Sequence, residues 1–450
     1  MLHNITRRIQ PQPAMRYLLI SLIFLVFLTT QVHPQEAPAP AEDTAWQTEL
    51  AGLARLDAWQ KRTSKLPQIT PEALDQAIEG ARYYIISQQT SRGNFRYSMD
   101  LTDPAFSETS DNAVRQAGTL WSICNLNRDR FNEPTRQACL LAMDFFIHYT
   151  RPLPNSDLKV ITYKSDRRVK TGMVALFCLG VVDFLTGQEK YMTPEQRQPY
   201  LDTLYENLRF LRSQEMPNGC WAKEYSNDPT DPPLPPGEEP ETSSYYNGEA
   251  MLAYLFAARY YRDRPELTAP EGIVERIHYA MPLLLRRYAV ECLRSDEGMA
   301  ETKGFFQWGL MSCALYHDLF PDSIPHVIEN AALTLSWWQI FNNRMDTRNG
   351  NTAYAIEGLI AAWHIAHQNG KAVEAQRIRD SIENTLAKLM TWQVGGPFES
   401  YNPFLMKWKD KIPAAAYGGV TATATSGYIR IDNVQHQLHA MLLARQYLWP

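Results

Sequence analysis

The sequence lacks the short motifs by which several large enzyme classes are recognised. It contains no P-loop, no GxSxG nucleophile elbow and no H-E-x-x-H zinc motif. Its six cysteines include no CxxC pair, so neither a zinc ribbon nor a thioredoxin-type redox site is supported. Nucleotide hydrolases of the P-loop type, α/β serine hydrolases and zinc proteases are therefore not indicated.

A strong net charge is also missing. The chain carries 44 Lys and Arg against 49 Asp and Glu, giving a net charge of −5. The basic residues are scattered along the sequence, which argues against a nucleic acid as the partner. Aromatic residues make up 11% of the chain, which fits either the stacking of sugar rings or a large helical core.

The cysteines fit an oxidising compartment without proving any disulfide. Cys124 and Cys139 flank a short helix-to-helix connection, which makes them the best candidate disulfide pair. Cys178 and Cys313 lie in apolar helical runs and are interpreted as buried thiols.

Residues 1–35 have the basic, apolar, polar order of a secretory signal peptide. Their apolar run, YLLISLIFLVFL, is too short to span a bilayer comfortably. No clean small-x-small cleavage site follows, so a retained membrane anchor is the alternative. Residues 36–66 are interpreted as a Pro/Ala-rich tether and a lead-in helix. We therefore expect a periplasmic or secreted protein, tethered to a membrane if the apolar segment is kept.

From residue 67 to 450 one motif recurs: an amphipathic helix, a polar loop and an apolar helix. The first helix of each pair carries a single apolar stripe, as at Leu74, Ile78 and Ile85. Several of these helices open with a proline in the first turn, as in the TPE at Thr70. One apolar stripe opposite a polar face predicts an outer helix of a layered structure.

The second helix of each pair is apolar almost all round, which predicts burial on every side. A glycine recurs near the start of five of them: Gly118, Gly172, Gly248, Gly309 and Gly358. Glycine inside a helix costs about 0.5–1 kcal/mol relative to alanine, so the repetition requires a reason. Backbones converging on a common axis provide one. Six such hairpins predict an all-α fold, an (α/α)6 toroid over residues 67–450, with an open superhelix as the alternative.

In a toroid all six inner helices start at one end, so their first turns and the long preceding loops share one mouth. Polar side chains gather there at the level of the glycines, and burying them without purpose is costly. Convergent polar and aromatic groups predict a ligand site, although some can simply satisfy helix ends. The predicted substrate-binding residues are Arg115, Gln116, Lys170, Glu224, Tyr225, Tyr245, Asn247, Glu301, Gln307, Trp308, Arg430 and Asp432.

Six hairpins with SYYNGEAMLAYLFAARYY after a loop containing KEYS resemble the six-hairpin carbohydrate-active superfamily of glycoside hydrolases, sugar epimerases and polysaccharide lyases. Within it, a stretch of about 40 residues is similar to the helical domain of D-glucuronyl C5-epimerases, matching at Glu224, Tyr225, Asn247 and Gly248. The β-rich portion that precedes the helical domain in those epimerases is not found here. The resemblance implies an enzyme acting on an oligo- or polysaccharide, with uronate-containing glycans as one class.

Two other toroidal families lack their signatures. The sequence has no DxDD or DDxxD run of the terpene cyclases and no Cys-His dipeptide of the lanthionine cyclases. Two sugar reactions fit the polar residues of the mouth. Glycoside hydrolysis needs two carboxylates across a cavity. The candidates are Glu249, Glu301 and Glu357, with Asp111 and Asp432 at helix starts.

Epimerisation or elimination instead needs a base and an acid on opposite faces of a sugar carbon, and a cation for the uronate carboxylate. The proton-exchange candidates are Tyr245, Tyr246, His436 and Glu357. The candidate cations are Arg115, Lys170 and Arg430. The two reactions together give a catalytic set of Glu357, His436, Glu249 and Tyr246, with a carbohydrate substrate and no cofactor.

His436 and His439 stand three residues apart on the last inner helix. When the six inner helices are aligned on the position of the recurring glycine, His436 falls at the mouth. His439 falls almost a turn deeper, where other copies have Leu120 or Ala250. We therefore expect no shared metal and interpret His439 as a core histidine. A non-catalytic glycan-binding or polysaccharide-assembly protein with the same toroid is the alternative to an enzyme.

Overall fold

The computed structural model describes residues 66–103, 106, 111–154, 156–164, 166–226 and 238–450. The predicted signal or anchor, and the tether up to residue 65, lie outside the described residues. Those expectations stay predictions.

Six amphipathic helices form the outer layer. Thr70 and Thr193 cap two of them, each hydroxyl accepting a hydrogen bond from the backbone N–H three residues on. The outer helices are α1 (Pro71–Ser87), α3 (Glu133–His148), α5 (Pro194–Ser213), α7 (Ile273–Arg286), α9 (Pro325–Trp337) and α11 (Ala372–Met390).

Six further helices alternate with these along the chain and form the inner layer. Most of their residues are buried, including polar ones such as Asn247, Glu249 and Glu357. The inner helices are α2 (Ala113–Asp129), α4 (Thr171–Gln188), α6 (Ser244–Arg262), α8 (Asp296–Leu319), α10 (Ala353–Gln368) and α13 (Ile431–Tyr447). The short helix α12 (Pro403–Trp408) lies in the long loop before α13.

The inner helices form a closed ring. Each packs against the next in chain order, and α13 packs against both α10 and α2. This closure confirms the predicted toroid of six hairpins, because an open superhelix would leave its first and last helices apart. The helix over Thr171–Tyr191 is long and apolar enough to cross a membrane, but 89% of its apolar window is buried inside the protein.

Three two-stranded antiparallel sheets organise the connecting loops. Strand β1 (Ser98–Asp100) pairs with β6 (Tyr428–Arg430), β2 (Thr150–Pro152) with β3 (Lys159–Ile161), and β4 (Arg168–Lys170) with β5 (Glu224–Ser226). Strands β4 and β6 run directly into α4 and α13. The β1–β6 pair joins the loop before the first inner helix to the loop before the last. Long loops therefore meet at the end of the ring where inner helices begin, as predicted.

The inner-helix glycines make room for side chains more than for backbones. A Cβ on Gly172 would lie 2.2 Å from Oε2 of Glu249 and 2.3 Å from the ring of Tyr246. A Cβ on Gly248 would lie 2.5 Å from Cβ of Trp308. At Gly172 and Gly248 the glycine therefore leaves room for a side chain of the next inner helix, in addition to the predicted approach of backbones.

The candidate disulfide residues are buried free thiols on neighbouring helices. Burial raises the pKa of Cys124, and the adjacent thiol of Cys139 raises it further. The structure thus brings the two sulfurs together, and the disulfide itself stays a prediction. Cys178 and Cys313 are buried, as expected.

Candidate functional site

Glu357 lies at the centre of the ring, fully buried near the start of α10. Nδ1 of His436 donates to its Oε1 over 3.0 Å, and Nδ1 of His439 donates to its Oε2 over 3.3 Å. The side-chain amide of Gln307 also donates to Oε2. Both carboxylate oxygens are therefore occupied by donors from α8 and α13.

Burial and charge act in opposite directions on this cluster. Burial raises the pKa of Glu357, but the two neighbouring histidines outweigh it and leave that pKa below its usual value. Burial lowers the pKa of His436, but Glu357 outweighs it and leaves that pKa above 6.5. The carboxylate is thus ionised, and it favours the protonated form of the imidazole.

His439 is buried, as expected of a core histidine, and its ring nitrogen is bonded to the same carboxylate as His436. Residues three apart on a helix lie on the same side, and a carboxylate has two oxygens with which to reach both. His439 also packs edge-on against Trp121, with 4.4 Å between ring centroids. Trp308 lies between Trp121 and His436, at 5.7 and 6.2 Å respectively. The axis of the toroid is therefore lined by aromatic rings around the Glu357 carboxylate.

His436 has one ring nitrogen available for chemistry. Its Nδ1 is held by Glu357, and its side chain is 22% exposed. Nε2 makes no hydrogen bond with any described residue. A carboxylate that fixes Nδ1–H leaves Nε2 as the basic atom of a neutral imidazole. Among the described residues no group of three or more His, Cys, Asp or Glu side chains is placed to hold a metal ion.

Glu249 is a second buried carboxyl group, on α6, and it differs from Glu357 in having no described partner for Oε2. Burial alone raises the pKa of Glu249 to about 8. It is therefore largely protonated at neutral pH. Tyr246, one turn earlier, has a pKa raised by burial and then by the charges of Glu249 and Glu224, while Arg115 acts in the opposite direction. These groups therefore lie within electrostatic range of one another at the mouth.

Asp432 draws together the two arginines predicted to hold a uronate carboxylate. Oδ2 of Asp432 is 3.1 Å from Nε of Arg115, and Arg430 donates to both its oxygens over 2.9 and 2.6 Å. The charge of both arginines is thus shared with an acid of the chain. The side chain of Lys170, at the end of β4, makes no hydrogen bond or ion pair with any described residue, unlike those of the two arginines.

Gln116 and Asn247 hold the loops rather than facing the mouth. The amide of Gln116 bonds both backbone groups of Phe95, at 2.9 and 2.8 Å. Asn247 accepts from the backbone N–H of Trp221 over 2.8 Å and donates to the hydroxyl of Tyr288 over 2.8 Å. Both side chains are fully buried. Their prediction as substrate contacts is corrected, because every hydrogen bond described for them supports the fold.

Asp111 also holds the loops together, because it accepts hydrogen bonds from the side chains of Gln116, Tyr163 and Lys164. Glu301 pairs on the surface with Arg287 over 3.1 Å, with its side chain 48% exposed. It does not contact the Glu357 cluster, so its predicted inward position is wrong.

Three other predicted residues lie at the rim. Tyr245 is 49% exposed and packs over Gly304. Glu224 accepts from Arg168 over 2.9 Å, and Tyr225 packs edge-on against Phe210. These positions are accessible to a large ligand.

The sequence reasoning missed Trp121. Nε1 of Trp121 donates to the buried Asp183 over 2.9 Å, which fixes the ring at the axis. The sequence feature that could have pointed to Trp121 is Asp183, because a carboxylate inside an otherwise apolar inner helix requires hydrogen-bond donors from neighbouring helices.

Comparison with protein-family models and with curated proteins finds no match. Solved structures are similar. A cellobiose 2-epimerase from Spirochaeta thermophila is 16% identical, with 84% of this chain and 96% of that chain covered and a TM-score of 0.53. A D-mannose isomerase is 10% identical, with 83% and 96% covered and a TM-score of 0.54. A family 76 glycoside hydrolase from a bovine Bacteroides thetaiotaomicron strain is 9% identical, with 83% and 78% covered and a TM-score of 0.54.

The likeness settles the architecture. The chain has the (α/α)6 toroid fold, and the predicted resemblance to the toroidal carbohydrate-active superfamily is confirmed at the level of fold. At identities this low the likeness carries no residue roles. The closer likeness to D-glucuronyl C5-epimerases stays a prediction.

Proposed function

We propose that this protein is a carbohydrate-active enzyme that moves a proton at a sugar carbon, as an epimerase or isomerase does. One observation carries the proposal: the Glu357 carboxylate is enclosed by Gln307, His436 and His439, so it orients an imidazole instead of facing a substrate. A histidine held in this way is suited to general acid–base catalysis.

In this mechanism Nε2 of neutral His436 removes the proton from a carbon next to a carbonyl or carboxylate. The ionised Glu357 stabilises the imidazolium that forms. Glu249, protonated at neutral pH, donates a hydrogen bond or proton to the oxygen on which negative charge develops. Return of the proton from His436 to the neighbouring carbon completes isomerisation. For epimerisation the planar intermediate has to turn, so that His436 returns the proton to its opposite face. The exposed ring of Tyr245 at the rim offers a flat surface for a sugar ring.

The substrate we propose is an oligo- or polysaccharide, with uronate-containing glycans first among the candidates. Lys170 is one cation near the mouth whose side chain has no partner among the described residues and can bind a carboxylate. Arg115 and Arg430 add to the positive potential around Asp432. We also propose that the enzyme works outside the cytoplasm, on the signal-like order of residues 1–35.

Glycoside hydrolysis is the second candidate. Two buried carboxyl groups with opposite pKa shifts, Glu249 raised and Glu357 lowered, form the acid and carboxylate pair that such a reaction uses. Against it, Glu357 has no oxygen free for a nucleophilic water. Non-catalytic glycan binding is the alternative from another class, and it requires the aromatic rings but not the acid and base.

A substrate screen separates the three. Purified protein is incubated with neutral and uronate-containing glycans and their monosaccharides, and products are followed by anion-exchange chromatography. We expect stereoisomers or keto sugars without new reducing ends, formed much more slowly by Glu357→Gln, not at all by His436→Asn, and at an unchanged rate by the exposed control His326→Asn. New reducing ends would favour the hydrolase. Saturable binding without turnover, with an affinity unchanged in both site variants, would support a non-catalytic glycan-binding protein.

A further inference from the structure

The opposite end of the toroid contains a cavity of about 820 Å³, apart from the mouth. It is lined by the C-terminal halves of the inner helices, whereas the mouth is formed by their first turns. Trp121 and His439 line its inner part, and Phe256 and Tyr447 contribute further rings. Its volume lies within the usual range of small-molecule sites, and it combines apolar walls with charged groups.

Most charges around this cavity are neutralised within the chain. Three of its four acidic residues are paired with arginines: Asp129 with Arg128, Asp263 with Arg262 and Glu189 with Arg264. The fourth, Asp318, lies 3.1 Å from Nε2 of His364. Four of its five arginines are also paired: Arg128 with Asp183, Arg264 with Glu189, and Arg130 and Arg445 with Asp75. The fifth arginine is Arg259.

Arg259 lies on α6, and its side chain makes no hydrogen bond or ion pair with any described residue. Its guanidinium lies 4.8 Å from the ring centroid of Phe256, which holds it in place by a cation–π contact. Burial lowers the pKa of Arg259, in spite of the more distant Asp183. A partly buried guanidinium with five donors and no acceptor favours an anion from outside the chain.

We propose that this cavity binds a sugar bearing an anionic group, with a carboxylate or phosphate on Arg259 and the ring against the half-buried Tyr447. A planar guanidinium bonds either anion through two parallel N–H groups. The aromatic and aliphatic walls cover the apolar face of the ring. The site lies on the other side of Glu357 from the mouth, and the proposal does not rest on the activity assigned there.

Calorimetric titration of the full chain tests this site with three probes: D-glucuronate, glucose 6-phosphate and neutral D-glucose. We expect saturable binding of one or both anionic probes, and which of them binds identifies the anion. Glucose should bind at least tenfold more weakly. Arg259→Gln should weaken the anionic probe at least tenfold, while Arg286→Gln, on the outer helix α7 with its side chain 75% exposed and outside the cavity, should change it less than twofold.

Thermal unfolding provides a control for folding. Arg259→Gln removes a cation without a partner, so the variant should melt at or above the temperature of the unmodified protein, and the anionic probe should no longer raise its melting temperature. Binding that is unchanged in Arg259→Gln, or no saturable binding of either anionic probe, would overturn the proposal. Either result leaves the test of the mouth unaffected, since that test measures turnover in other variants.

Discussion

Replacement of Glu249 by glutamine tests whether the buried carboxyl group of Glu249 is neutral in the folded protein. The group titrates near 4.5 in the unfolded chain and at about 8 in the folded protein. Because the folded state binds the proton more tightly, stability contributed by this group is lost as pH rises from about 4.5 to about 8. At about 1.4 kcal/mol per pH unit, the loss is about 5 kcal/mol.

Glutamine resembles the protonated acid in shape and cannot ionise. The Glu249→Gln variant should therefore match the unmodified protein near pH 4.5 and exceed its free energy of unfolding increasingly up to pH 8. Urea titrations followed by tryptophan fluorescence at several pH values measure this difference. Glu301→Gln is the control, since an exposed ion pair contributes about 1 kcal/mol or less. Parallel pH curves for Glu249→Gln and the unmodified protein would refute the reasoning that Glu249 is held neutral.

The other predictions concern the carboxylate cluster and the packing of the ring. Activity should rise with pH as His436 loses its proton, with an apparent pKa above 6.5 because Glu357 stabilises the imidazolium. In Glu357→Gln this stabilisation is lost, so the residual activity should rise at lower pH. Profiles of rate against pH measure both. Glu357→Gln should also cost about 3–5 kcal/mol of stability at pH 6, measured by urea unfolding, because it breaks a buried ion pair. Gly248→Ala should destabilise by about 1–3 kcal/mol through its clash with Trp308, whereas Gly80→Ala, with only ordinary contacts, should not, as thermal melting will report.

The architecture could be predicted because it follows from local patterns. One apolar stripe on α1 and near-continuous apolar residues on α4 already distinguish outer from inner helices, and the repetition of the pair predicts the ring. Alignment of the inner helices on their glycines also predicted that Glu357 and His436 lie at one level, and in the structure the two side chains are hydrogen-bonded.

The roles of individual polar residues could not be predicted in the same way. Gln116 and Asn247 occupy the expected level, but the rotation of each helix turns them toward loop backbones, which no pattern along the chain reveals. The sequence places His439 almost one turn deeper than Glu357. In the structure the two residues are bonded nevertheless, because the two oxygens of the carboxylate contact different histidines. Arg259, near the end of α6, resembles an ordinary C-terminal cation until the pairing of all its neighbours is known.

The most direct test of the proposed proton transfer is turnover in deuterium oxide. A sugar that the protein converts is incubated in this solvent, and the recovered material is examined by mass spectrometry and NMR. The account predicts deuterium at the carbon next to the carbonyl or carboxylate, lost together with turnover in His436→Asn. Turnover with new reducing ends and no deuterium on carbon would contradict it.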